Sequence, residues 1–322
     1  MSLTFGGWEL VQVLAKILVY AGMAAATGGL LVLWLVQRAV VGLPTSSGTP
    51  DTPATAPWFL QHSRMLLSQS ALAAVTGLLA AVLLFLLQVG SISQSGVPGM
   101  FDPLLLRVLA ATPVGTGTAC KLAGFVLALL VMGIANARIG AGDVRVISGG
   151  LLLTNVVALQ LFAISIAVVG HSATQGLPVQ LAAGAHVVAV LLWIGALLPL
   201  RQLHAAGDFT IVASVLRNFG VLGWALIGCL LVGGSVMLLQ MLGSAGDLLG
   251  TVYGGLMLAK LQLASCLLGL GALNKFLLVP ALATKPRSQL QTSIGMELVL
   301  ALLIIVLTAT LTTLTGPPMA DG

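Results

Sequence analysis

Two of the chain's four histidines, His171 and His186, stand 15 residues apart in "GHSATQGLPVQLAAGAHVVAVLLWIG", residues 170–195. A turn with Gly176 and Pro178 separates them. Neutral imidazole binds metal through one ring nitrogen while the other is oriented by a hydrogen bond. Further along, Met237 and Met241 recur at i,i+4, the spacing that puts two side chains on one helix face. Thioethers are soft donors suited to Cu(I), and imidazole accepts either copper oxidation state. His171, His186, Met237 and Met241 are therefore the candidate metal ligands. Each also has a plain structural reading. His171 suits an interfacial residue, His186 a helix–helix hydrogen bond, and methionine is an ordinary packing residue in apolar helices. Met257 opens a later apolar run, and Met100 and Met319 fall in connections on the same side. Cys120, Cys229 and Cys266 are widely spaced and form no CxxC pair. In mid-run, Cys229 and Cys266 could relay copper or serve as small hydrophobes.

The elements that position these residues are membrane helices. Charged residues make up 7% of the chain and hydrophobic ones 58%, against about 25% charged in a soluble domain. Mean hydropathy is +1.12. Eight apolar runs, at roughly 8–37, 65–88, 117–136, 146–169, 179–200, 212–239, 256–279 and 292–315, are each long enough to span a bilayer. Their continuity, without period-2 alternation, predicts helices rather than a barrel. The fold class is thus all-α, a polytopic helical bundle of about eight transmembrane helices. It reads as one integral membrane unit, with an N-terminal region over 1–145 and a second over 146–322. A Pro/Ser/Thr linker, "VGLPTSSGTPDTPATAPW", joins the first two runs. Residues 89–116 are too short and interrupted to span, and are expected to lie along the interface or re-enter. The N-terminus lacks the basic region and cleavage site of a signal peptide, so the first run is expected to be a retained helix.

The net charge is +5, yet no Lys/Arg cluster suggests nucleic acid. Nine of the 13 basic residues, Arg38, Arg64, Arg138, Arg145, Arg201, Arg217, Lys275, Lys285 and Arg287, flank the first, third, fifth and seventh connections. The positive-inside rule puts those connections in the cytoplasm. Both termini and the turn after His171 are then expected outside, in the periplasm of a two-membrane bacterium. His186 would lie about two turns into its span, roughly 10 Å below the span's start. It shares a face with Trp193 and with Ala182, Ala189 and Ala196, small residues that admit a close neighbour. On the preceding span, Gln160, Ile164, Ala167 and His171 form a stripe that could carry a polar path inward. Lys260 is expected to snorkel at an outer span end or to pair with Glu9 or Asp247. Asn274 suits a helix-packing or turn hydrogen bond, and His62 and His204 suit solvated cytoplasmic loop residues.

Taken together, Gly170-His171, His186 and Trp193-Ile194-Gly195 resemble the hairpin of the copper-resistance protein D family, bacterial inner-membrane proteins. The resemblance continues through "RNFG" at Arg217–Gly220 and through Thr251, Tyr253, Gly254 and Lys260 of "TVYGGLMLAK". It extends to Asn274, Lys275 and Pro280 of "ALNKFLLVPAL", and to Glu297 of "SIGMELVL". It is strongest over about 170–315; upstream, "TPVGTG" resembles the family only loosely. The outer connections are short and carry no fused copper-binding domain, so the resemblance implies a separate periplasmic CopC-like carrier.

The expected function is copper transport or copper homeostasis at the inner membrane. Copper would be accepted at a periplasmic-side His/Met site, with import slightly favoured by the outward ligands. Trp193, Lys260 and Asn274 are supporting candidates. The sequence has no P-loop for ATP-driven pumping, and the expectation is a non-enzyme. The competing class is a membrane oxidoreductase with His171 and His186 as axial ligands to b-type haem. A third reading is a scaffold whose polar residues only join helices. A Soret band on the purified protein would mark the haem reading; bound copper without one would mark the transporter.

Overall fold

The computed structural model describes residues 6–42, 56–169, 175–206, 208–241, 250–283 and 287–314. Every regular element among them is helical: α1 (Gly7–Val41), α2 (Ala56–Ser93), α3 (Pro103–Ala110), α4 (Pro113–Gly140), α5 (Gly149–Ala167), α6 (Leu177–Ala206), α7 (Phe209–Met241), α8 (Val252–Leu273) and α9 (Arg287–Leu314). A π turn, Asn274–Leu278, continues α8. Among the described residues, eight helices are long and apolar enough to cross a membrane, and α3 is the exception. They follow the eight apolar runs in order. A helix satisfies its backbone groups internally, which a segment in hydrocarbon must do.

The helix starts are written locally. Asp102 accepts from the Leu104 and Leu105 amides at the head of α3. Thr112 caps α4 through the Val114 amide, and Thr251 caps α8 through the Gly254 amide at 2.9 Å. These caps satisfy amides that the first helical turn leaves open. Residues 89–116 fold as the end of α2, a 3-10 turn at Pro98–Phe101, the short α3 and the first turn of α4. In α3, Leu109 is buried while Leu104 and Val108 are exposed.

The core is organised around α1, which packs against α2, α4, α5, α6, α7 and α9. Its closest approach is to α6. A Cβ on Gly28 would stand 2.5 Å from the Gly195 Cα, and one on Gly195 would run into the Ala24 carbonyl. Small residues let the two backbones touch, as dispersion-driven packing in a membrane requires. Lys16, inside α1, is held by the Thr312 carbonyl of α9 at 2.7 Å and by its hydroxyl. At the other end of α1, Gln37 bonds both backbone groups of Ile147, and Arg38, Arg138 and Arg145 share one cleft of about 640 Å³. We call this the basic end of the bundle.

Several helices outrun their apolar cores, which corrects two expectations. His62 and His204 are not solvated loop residues. His62 lies in α2, buried and stacked on Trp58 with ring centroids 5.1 Å apart. His204 lies in α6 and is fully buried. Polar residues beyond the hydrophobic run continue the helix, so their packed face stays inside the bundle.

Candidate functional site

His186 lies nine residues into α6, where α7 crosses it. Its Nδ1 is 3.1 Å from the Leu230 carbonyl oxygen of α7. A carbonyl only accepts, so Nδ1 carries the proton and donates; the lone pair then sits on Nε2. That is the arrangement of a metal-binding imidazole, one nitrogen oriented and the other available. Two glycines make room for the ring. A Cβ on Gly233 would stand 2.5 Å from the Ala182 carbonyl and 2.8 Å from the His186 Cβ. One on Gly234 would stand 3.2 Å from the His186 Cε1. Ala189 and Trp193, on the same face as His186, are buried, and His186 itself is half-buried.

Met237 is partly buried on α7, one turn beyond Gly233 and away from the basic end. Met241 is the last residue of α7, and its side chain lies outside the described residues, as does His171. The fold therefore brings α6 and α7 together at His186 and puts Met237 on the crossing helix. Among the described residues, no group of three or more His, Cys, Asp or Glu side chains could hold a metal. Lys260 stands inside α8, within electrostatic range of His186 rather than at a span end.

The polar path expected along α5 does not form there. Gln160 and Ile164 point out of the bundle, and the buried stripe of α5 is instead Asn155, Ala158, Leu159, Phe162 and Ser165. Met100 is buried against Trp8, Leu84 and Leu87, as a filler of apolar space. Cys229 and Cys266 are exposed on the outside of the bundle and Cys120 partly so.

A second polar group lies on the same face of α6, two turns from His186. Asn274, opening the π turn, donates its side-chain amide to the Glu297 carboxyl of α9. The Trp193 indole lies beside that carboxyl, with Nε1 outside hydrogen-bond geometry. A Cβ on Gly271, one turn before Asn274, would stand 2.7 Å from the Trp193 ring. Three helices thus converge on one carboxyl group. Each residue stands in a motif quoted above, but their meeting is a long-range fact. Nothing in the local sequence joins Trp193 to Glu297.

The remaining motif residues have structural work. Thr251 caps α8, and Tyr253 and Gly254 are buried beside it. Lys275 donates to the Gly220 carbonyl and sits 4.2 Å above the Trp224 ring, joining "RNFG" to the π turn. Ammonium over an indole face is a favourable cation–π contact.

Residues 213–311 match the family described as Copper resistance protein D, CopD. The match covers most of α7, α8, the π turn and most of α9, and begins after the His186 helix. The match is a similarity of that segment, less than half of the chain. No curated protein and no solved structure matches the chain.

Proposed function

We propose that the protein is a copper transport or homeostasis protein of the bacterial inner membrane, accepting the ion at His186. The observation that carries the reading is the oriented imidazole. His186 leans on α7, part of the CopD-matched segment, with Nδ1 held by the Leu230 carbonyl and Nε2 left for a ligand. Ionisable side chains inside a span are costly and usually functional.

His171, Met237 and Met241 complete the proposed donor set. A few displaced soft donors let copper shed water and move on without a deep trap. With the arginine-rich end in the cytoplasm, this site opens toward the periplasm. A CopC-like carrier then delivers the ion, and import follows from the outward position of the donors. The proposed role is transport rather than catalysis. Lys260 lies within electrostatic range of His186, so any positive charge it carries opposes a cation lingering there.

The test is copper uptake into sealed membrane vesicles of defined orientation, after matching membrane abundance. His186→Ala should abolish most uptake. His171→Ala should weaken it less, since that side chain only receives incoming metal. Parent-level uptake by a normally abundant His186→Ala protein would overturn the site.

A further inference from the structure

Glu297 is the one carboxylate among eight in the sequence that falls deep within an apolar run. It is 3% exposed. Around it, Asn274 Oδ1 and Ser293 Oγ are buried with no hydrogen-bond partner among the described residues, and Trp193 Nε1 lies within reach of the carboxyl group but outside hydrogen-bond geometry. Buried polar atoms are nearly always paired, so two unpaired ones beside a single carboxyl group mark unused binding capacity. The π turn that delivers Asn274 is itself a geometry found often at functional sites.

Of the four charged groups on neighbouring elements, three face elsewhere and the fourth, Arg201, is exposed. Arg201 of α6 lies alongside Gly295, 3.6 Å from where a Cβ would stand. Lys275 of the π turn bonds Gly220, Lys260 of α8 lies toward His186, and Lys16 of α1 bonds Thr312 at the far end of α9. Among the described residues, the carboxyl group has an amide and an indole for neighbours and no bonded counter-charge. The available donors are few and hard: a carboxyl, an amide oxygen and a hydroxyl. That is too few for Na⁺ or Mg²⁺, which take about six oxygens, and too hard for Cu(I). The ion that fits is a proton.

A cleft lies on one side of the carboxyl group and His186 on the other. A cleft of about 470 Å³ opens where α9 begins, with Leu270, Leu273 and Leu278 on one wall and Ser288, Gln289, Thr292, Ser293 and Met296 on the other. Ser293 lies one turn from Glu297 on α9. On the other side, Trp193 stands two turns from His186 on the same face of α6.

We propose that Glu297, with Asn274, Trp193 and Ser293, is a proton-binding site that couples proton movement to copper movement. The coupling rests on the function proposed above; the proton site itself does not. In one half-cycle the carboxylate takes a proton from water at the cleft, forming an O–H bond. In the other that bond breaks and the proton passes to water on the His186 side. No electron is transferred.

Two measurements on the full chain separate the two claims. In lipid nanodiscs without copper, infrared difference spectra between high and low pH should show one protonated-carboxyl C=O band. Glu297→Gln should remove it, and Asn274→Ala, which keeps the carboxyl group, should shift it. A band unchanged in both variants, or no titrating band in the parent, overturns the proton site. In proteoliposomes, an imposed proton gradient should change copper flux by about tenfold, an ordinary size for coupled sites, and Glu297→Gln should lose that response. Copper flux that ignores the gradient overturns the coupling. A parent that moves no copper under any gradient overturns the copper reading, and the infrared result then decides the proton site alone.

Discussion

At the scale of single residues, the account depends on how His186 is held. The Leu230 carbonyl fixes the tautomer, and Gly234 gives the ring its place. Gly234→Ala would set a methyl group 3.2 Å from the ring edge, so the imidazole must give by a few tenths of an ångström, which weakens its bond to the carbonyl. Losing such an orienting partner commonly costs about 10–100-fold in metal affinity. A competition titration with a copper chelator on the purified variant should show a fall of that size; parent affinity would contradict the proposed orientation. Met237→Leu and Met241→Leu conserve volume and isolate the sulfur. Each should weaken copper retention less than His186→Ala, because the imidazole is the one donor with a built orientation.

At the scale of elements, α6 carries two polar levels, His186 and Trp193, against α7 on one side and α8 and α9 on the other. The α6–α7 crossing depends on Gly233. A methyl group there meets the Ala182 carbonyl and the His186 Cβ, and overpacking of this kind costs about 1–3 kcal/mol. Gly184, on the same helix, has open space around it. Thermal unfolding in detergent should therefore drop for Gly233→Ala and hold or rise for Gly184→Ala; equal effects would contradict the crossing. The spans were legible because a run of about 20 apolar residues has no other stable home. The ends were not, because Arg64, His62 and His204 read as loop by composition while the helix continues beneath them. The face of α6 was legible through the seven-residue spacing of His186 and Trp193. The stripe on α5 was misread, since Gln160 is polar yet points away from the bundle. The π turn and the convergence on Glu297 were invisible, because Trp193, Asn274 and Glu297 meet only when three helices pack.

At the scale of the whole molecule, direction follows from orientation. Reporter fusions at Ser95 and Gly142, in connections at opposite ends of the bundle, should report outside and inside respectively. The reverse pair would put His186 toward the cytoplasm and reverse the proposed import. The most direct test of the central claim is X-ray absorption at the copper edge on the purified, copper-loaded chain and on His186→Ala. The account predicts imidazole and sulfur scatterers in the parent, with bound copper and the imidazole signal largely lost in the variant. An equal copper content and an identical spectrum in a folded His186→Ala protein, or a haem Soret band in the parent that the variant loses, would contradict it.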